Sequence, residues 1–161
     1  MTIKVGDKMP EGGFAVMTDD GPGGLTTSEL FSGKKVVVFA VPGAFTPTCS
    51  AKHLPGFVEN VAAIKAKGVD TVACLSVNDV FVMDAWGKSA GVEDNITMLA
   101  DGNCDYCKAL GLEIDASGFG MGMRGSRFAL VVDDGVVSQA YIEAAPTDLA
   151  ASSAENVLKN L

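Results

Sequence analysis

The stretch Val36-Val37-Val38-Phe39-Ala40, closed by Val41-Pro42-Gly43, constrains this chain more than any other. An unbroken run of β-branched, aromatic and small apolar residues has no polar side. It reads as a strand buried on both faces, as inside a parallel sheet. Pro42 and Gly43 stop it. After the loop Ala44-Phe45-Thr46, Pro47 and Thr48 carry helix-start chemistry, because the missing proline N–H would be unpaired in a first turn anyway. Cys49 therefore falls in the first turn of a helix that springs from the carboxyl end of a central strand. That helix is predicted to run to about Lys67, with a bend at Pro55-Gly56.

The position has chemical consequences. The first N–H groups of a helix lack intrahelical partners and, with the macrodipole, favour negative charge. A thiol held there loses its proton more readily, and the thiolate is the reactive form. Thr46, three residues before Cys49, brings a hydroxyl to the same mouth, and Pro42 shields it from bulk water. Cys74 sits differently, mid-strand between Ala73 and Leu75, where a cysteine behaves as a small hydrophobe.

The rest of the chain alternates. Thr71 to Val77 reads as a second buried strand, Asp79 to Ala90 as a helix and Ile96 to Ala100 as a third strand. Cys104 to Leu110 follows as a short helix ended by Gly111. Short crossovers of this kind make parallel neighbours in a layered α/β sheet. The pattern then changes: Phe128 to Val132, Asp133-Asp134-Gly135 and Val136 to Ile142 read as a β-hairpin, before a last helix over Ser152 to Leu161. At the front, Phe14 to Met17 is a short strand, Asp19 to Gly24 a turn and Thr27 to Phe31 one helical turn. The expected architecture is one domain over 1–161, α/β in three layers, its mixed central sheet carrying a C-terminal antiparallel hairpin.

Composition sets outer limits. The 161 residues are 48% hydrophobic and 20% charged, enough for a substantial core. A net charge of −8 argues against nucleic acid and against anionic membrane surfaces as partners. No apolar run reaches the length of a membrane span, and the first residues have no signal-peptide core. Four cysteines do not make a disulfide scaffold, so a reducing, cytoplasmic setting is expected.

The segment Pro42-Gly43-Ala44-Phe45-Thr46-Pro47-Thr48-Cys49-Ser50, followed by His53-Leu54-Pro55-Gly56-Phe57, resembles the active-site segment of the peroxiredoxins, closest to the type-5 (plant type-II) subfamily. The likeness continues through Ala73 to Asp79, Phe81-Val82 and Trp86 to Arg127-Phe128. It implies a thioredoxin-like fold and a thiol peroxidase that needs no cofactor and acts on hydrogen peroxide and alkyl hydroperoxides. By the motif, Cys49 attacks the peroxide and becomes a sulfenic acid, helped by Pro42, Thr46 and Arg127. It implies regeneration by an external thiol, either glutathione with glutaredoxin or thioredoxin, and a homodimer. Arg127 by itself reads as a solvated arginine; the resemblance places it at the thiol, with Arg124 a weaker second candidate.

Other groups compete. Cys104-Asp105-Tyr106-Cys107 departs from the relatives, and C-x-x-C at a helix start is the geometry of dithiol redox motifs whose first thiol is acidified. A dithiol–disulfide reductase using this pair, and a non-enzymatic redox sensor on the same fold, therefore stand as alternatives. His53, the only histidine, lies one turn after Cys49 and reads as a packing or supporting residue, not a catalytic base. Gly120, Gly122 and Gly125 match a dinucleotide fingerprint formally, but lead into a strand and not a helix. Animal type-5 enzymes place a second cysteine near the C-terminal helix; Leu149 to Ala154 contains none.

Overall fold

A computed structural model describes residues 1–161. The central strand is β3 (Lys35–Val41), buried on both sides as its composition requires. Parallel to it runs β4 (Thr71–Ser76), and parallel to β4 runs β5 (Thr97–Ala100). On the other side of β3 lie the antiparallel β8 (Phe128–Asp133) and β9 (Val136–Ile142). The sheet is completed at its far edge by the hairpin β1 (Gly13–Thr18) and β2 (Gly21–Thr26), giving the order β2-β1-β5-β4-β3-β8-β9. A separate ribbon pairs β6 (Glu113–Asp115) with β7 (Met123–Gly125).

Because strand side chains alternate, β3 feeds two cores. Val36, Val38 and Ala40 face a core closed by α1 (Thr27–Phe31) and α4 (Asp105–Leu110). Val37, Phe39 and Val41 face a second core, which holds α2 (Leu54–Ala66), α3 (Val80–Ala90) and α5 (Ala154–Asn160). The result is the expected three-layer mixed sheet, with Cys49 in the second core.

The α2 face packs through aromatics. Phe57 stacks on Phe39 with ring centroids 3.9 Å apart and planes 2° from parallel, and neither ring is exposed to water. The helices start and stop by local chemistry. Asp79 accepts the Val82 N–H at 2.8 Å to open α3, and Gly91 and Gly111 end α3 and α4 in the left-handed conformation.

Three segments differ from the sequence reading. The helix after Cys49 opens with a π turn over Cys49–His53, in which Leu54 N–H bonds Cys49 O, just ahead of Pro55-Gly56. Pro55 cannot donate a backbone hydrogen bond and its ring would press on the carbonyl one turn back, and a widened turn relieves both. The front turn is confined to Asp19 and Asp20, and the glycines beyond it form β2. Pro22 is tolerated because β2 is an edge strand. The glycine-rich loop likewise ends in a short strand, β7.

Replacing Phe57 by Ala is expected to cost about 3–5 kcal/mol in urea unfolding. A loss below about 1 kcal/mol would show that the stacked pair does not hold α2 to the sheet.

Candidate active site

β3 delivers Pro42, and the loop beyond it is held by named bonds. Asn78, just past β4, accepts the Ala44 N–H at 3.0 Å and the Ser76 hydroxyl at 2.6 Å, tying the loop to the neighbouring strand. Thr46 Oγ donates to Gly43 O at 2.6 Å, which commits the hydroxyl proton and leaves the oxygen as an acceptor. Pro42 is buried and Thr46 half-buried. Ser50 N–H bonds back to Thr46 O at 2.9 Å, whereas no carbonyl takes the N–H of Thr48 or Cys49. The helix mouth is thus lined with free amides. On the outer side, Trp86 Nε1 donates to Ser50 Oγ at 2.9 Å and pins the π turn.

Arg127 arrives from far along the chain. It lies two residues before Ala129, which faces the second core, so strand alternation turns its side chain to the same face. Arg127 is 2% exposed, and three of its nitrogens are used. Nη2 donates to Cys49 Sγ at 3.1 Å, Nη1 to His53 Nδ1 at 2.9 Å and Nε to Pro146 O at 2.9 Å. Cys49 itself is 1% exposed.

His53 is joined on both sides. Its Nε2 meets Ser152 O at 3.0 Å, so Nε2 carries the proton and Nδ1 is the acceptor for Arg127. Burial, with the Arg127 charge adding to it, holds the ring's pKa down to about 4, against the weaker opposing pull of the Ser152 carbonyl and Glu143. Glu143 gathers the chain that supplies that carbonyl, accepting from the N–H groups of Ala150, Ala151 and Ser152 and from Ser152 Oγ at 2.6 Å.

The structure brings together Pro42, Thr46, Cys49 and Arg127 at the carboxyl end of β3. Arg124 goes elsewhere: it donates to Val77 O at 3.0 Å and Met121 O at 2.9 Å, bracing the loop after β4. Cys74 lies on β4 opposite Phe39, in the same core as Cys49, and burial pushes its thiol well above the ordinary range. Sequence reasoning missed Asn78, Glu143 and the carbonyls of Pro146 and Ser152. Only Asn78 and Glu143 carry a side-chain signal, and neither has a spacing that announces it.

The reading of an acidified thiol in Cys104-x-x-Cys107 is corrected. Asp101 takes the amides of that helix start, accepting from Tyr106 N–H at 3.0 Å and Cys107 N–H at 2.9 Å. Those two amides are therefore not available to a sulfur. Burial and the Asp101 carboxylate push both thiols up, not down. Cys104 is 2% exposed and Cys107 is fully buried, packed against the backbone of Gly125. A cavity of about 760 Å³ lies away from all of this, between Val16 and Met17 of β1, Gly87 of α3 and Met98 of β5. It has no reactive group.

His53 also makes stability depend on pH. The unfolded chain binds the ring proton near 6.5, whereas the fold resists until about 4. Between these values the unfolded state holds more protons, so stability falls as pH drops through the window, by about 3 kcal/mol in all. Urea unfolding at a series of pH values should show this slope, and His53→Asn should lack it. Equal slopes in the two proteins would contradict a ring held neutral.

Comparison with known proteins gives the family. The Redoxin family model matches residues 4–158. Peroxiredoxin-2E-2, chloroplastic, of Oryza sativa subsp. japonica is 50% identical over 166 aligned positions, covering 99% of this chain and 73% of the relative. Peroxiredoxin-2B of Arabidopsis thaliana is 46% identical, covering 99% and 98%. Among solved structures, reduced Prx3 of Vibrio vulnificus in complex with H2O2 superposes with a TM-score of 0.94 at 48% identity, covering 99% of both chains. With a family match over nearly its whole length and relatives this similar, the chain belongs to the Redoxin family as a peroxiredoxin of the type-5, plant type-II-like group, a thiol-dependent peroxidase.

Proposed function

We propose that Cys49 is the residue that attacks the peroxide, with Arg127, Thr46 and Pro42 forming its pocket. The observation that carries the reading is the Arg127 Nη2 contact to Cys49 Sγ at 3.1 Å, made out of water. The thiolate attacks one peroxide oxygen; an S–O bond forms, the O–O bond breaks, and the departing oxygen leaves as water or an alcohol after taking up a proton. Cys49 is then a sulfenic acid. One external thiol condenses with it, releasing water and leaving a mixed disulfide, and a second thiol displaces Cys49 as thiolate. The free amides of Thr48 and Cys49 and the Arg127 guanidinium hold the charge developing on the oxygens. Thr46 Oγ accepts a hydrogen bond from the peroxide, since its own proton is given to Gly43. The substrates in this reading are hydrogen peroxide and small alkyl hydroperoxides, in keeping with a cysteine that is 1% exposed.

The reductant we propose is a glutathione/glutaredoxin or thioredoxin system in a reducing compartment such as the cytoplasm. In support, all four cysteines are free and buried, and Cys74, Cys104 and Cys107 all have thiols pushed toward the unreactive, protonated form. A homodimer is favoured by Phe45, Phe81 and Phe119, which are 55%, 64% and 86% exposed in the single chain.

Cys49→Ser should abolish thiol-dependent peroxide consumption while leaving the circular dichroism spectrum intact; retained turnover would refute the assignment. Arg127→Ala should slow peroxide consumption roughly hundredfold or more. An unchanged rate would remove its role. The double variant Cys104→Ser/Cys107→Ser should keep a rate close to the parent, whereas its loss would return the pair to the cycle.

A further inference from the structure

We infer that His53 is a positioning residue, whose neutral ring fixes the Arg127 guanidinium so that Nη2 meets the Cys49 sulfur. The inference rests on Cys49 and Arg127 being the reacting pair. His53 sits at the crossing of two constraints. Nδ1 receives Arg127 Nη1 at 2.9 Å, while Nε2–H is anchored on Ser152 O at 3.0 Å, 99 residues away in sequence. The ring cannot turn without breaking one of them. Phe39 and Phe57 close on it, with centroids at 5.2 and 5.6 Å.

The ionisable groups around the ring are few. Arg127 faces it from the start of β8, Cys49 shares its turn, Glu143 stands behind the Ser152 segment after β9, and Cys74 lies on β4 within reach of the Cys49 and Arg127 charges. An Arg127 whose Nη1 found no acceptor would be a buried donor without a partner, and it would swing to find one. The ring is therefore not an inert filler. It transmits the placement of the Glu143-capped segment to the guanidinium, and so to the sulfur.

Two half-replacements separate this from simple packing. The Asn amide oxygen falls near the place of Nδ1 and keeps an acceptor for Arg127, whereas the Gln amide reaches the place of Nε2 and leaves Nη1 unserved. The measurement is the alkylation rate of Cys49 by iodoacetamide over a pH series, mapped by peptide mass, in wild type, His53→Asn and His53→Gln. Cys49→Ser supplies the background. His53→Gln should react about tenfold more slowly than His53→Asn at neutral pH, from the lost bond to a charged group. The deficit should vanish at alkaline pH, where the thiol ionises unaided. Equal rates in the two variants, or a deficit that persists at alkaline pH, would overturn the inference. Alkylation needs no peroxide turnover, so a failed peroxidase assay and a failed positioning role are told apart.

Discussion

A buried guanidinium without a carboxylate partner governs this structure. Arg127 is 2% exposed, yet the chain's ion pairs, Lys4–Asp7 and Lys88–Asp84, both 2.9 Å, lie at the surface and do not involve it. Its contacts are the carbonyl of Pro146, the neutral ring of His53 and the sulfur of Cys49. Two of these are uncharged acceptors. A cation taken out of water is costly unless an anion compensates it. Of the three contacting groups, the Cys49 sulfur alone belongs to a side chain that peroxide can oxidise, so the fold commits its one buried guanidinium to the sulfur.

The scaffold exists to make that meeting reliable. Cys49 and Arg127 are 78 residues apart in sequence, but β3 and β8 are hydrogen-bonded neighbours. β3 ends where the loop to Cys49 begins, and β8 starts just past Arg127, because antiparallel pairing brings one strand's end beside the other's beginning. The π turn at Cys49–His53 then sets both Cys49 and His53 against a single guanidinium. Trp86 clamps the outer side of that turn and Asn78 the loop before it. Glu143 holds the segment whose carbonyl fixes His53. Each clamp comes from a different element.

Much of this was legible in the residues. The run Val36 to Ala40 announced a doubly buried strand because it has no polar face, and the helix mouth at Cys49 followed from Pro42, Gly43 and Pro47. Arg127 was legible only through family resemblance, since one arginine before a strand says nothing of where its side chain goes. The π turn was hidden because Pro55 marks a disturbance without saying how the backbone absorbs it. β2 was hidden because Gly21, Gly23 and Gly24 carry no strand preference; its pairing with β1 supplies what its side chains do not. The Cys104-x-x-Cys107 spacing misled for a physical reason. Two of the helix-start amides that would acidify a thiol, those of Tyr106 and Cys107, are taken by Asp101, three residues before Cys104. Spacing identifies a motif, but competition for the same donors decides what it does.

The most direct test of the central claim is intact mass with thiol mapping after one equivalent of hydrogen peroxide and a sulfenic-acid trap, run on the parent protein and on Arg127→Leu. The account predicts a single trapped oxidation at Cys49 in the parent and almost none in the variant over the same interval. Oxidation centred on Cys74, Cys104 or Cys107, or equal trapping at Cys49 with and without the guanidinium, would contradict it.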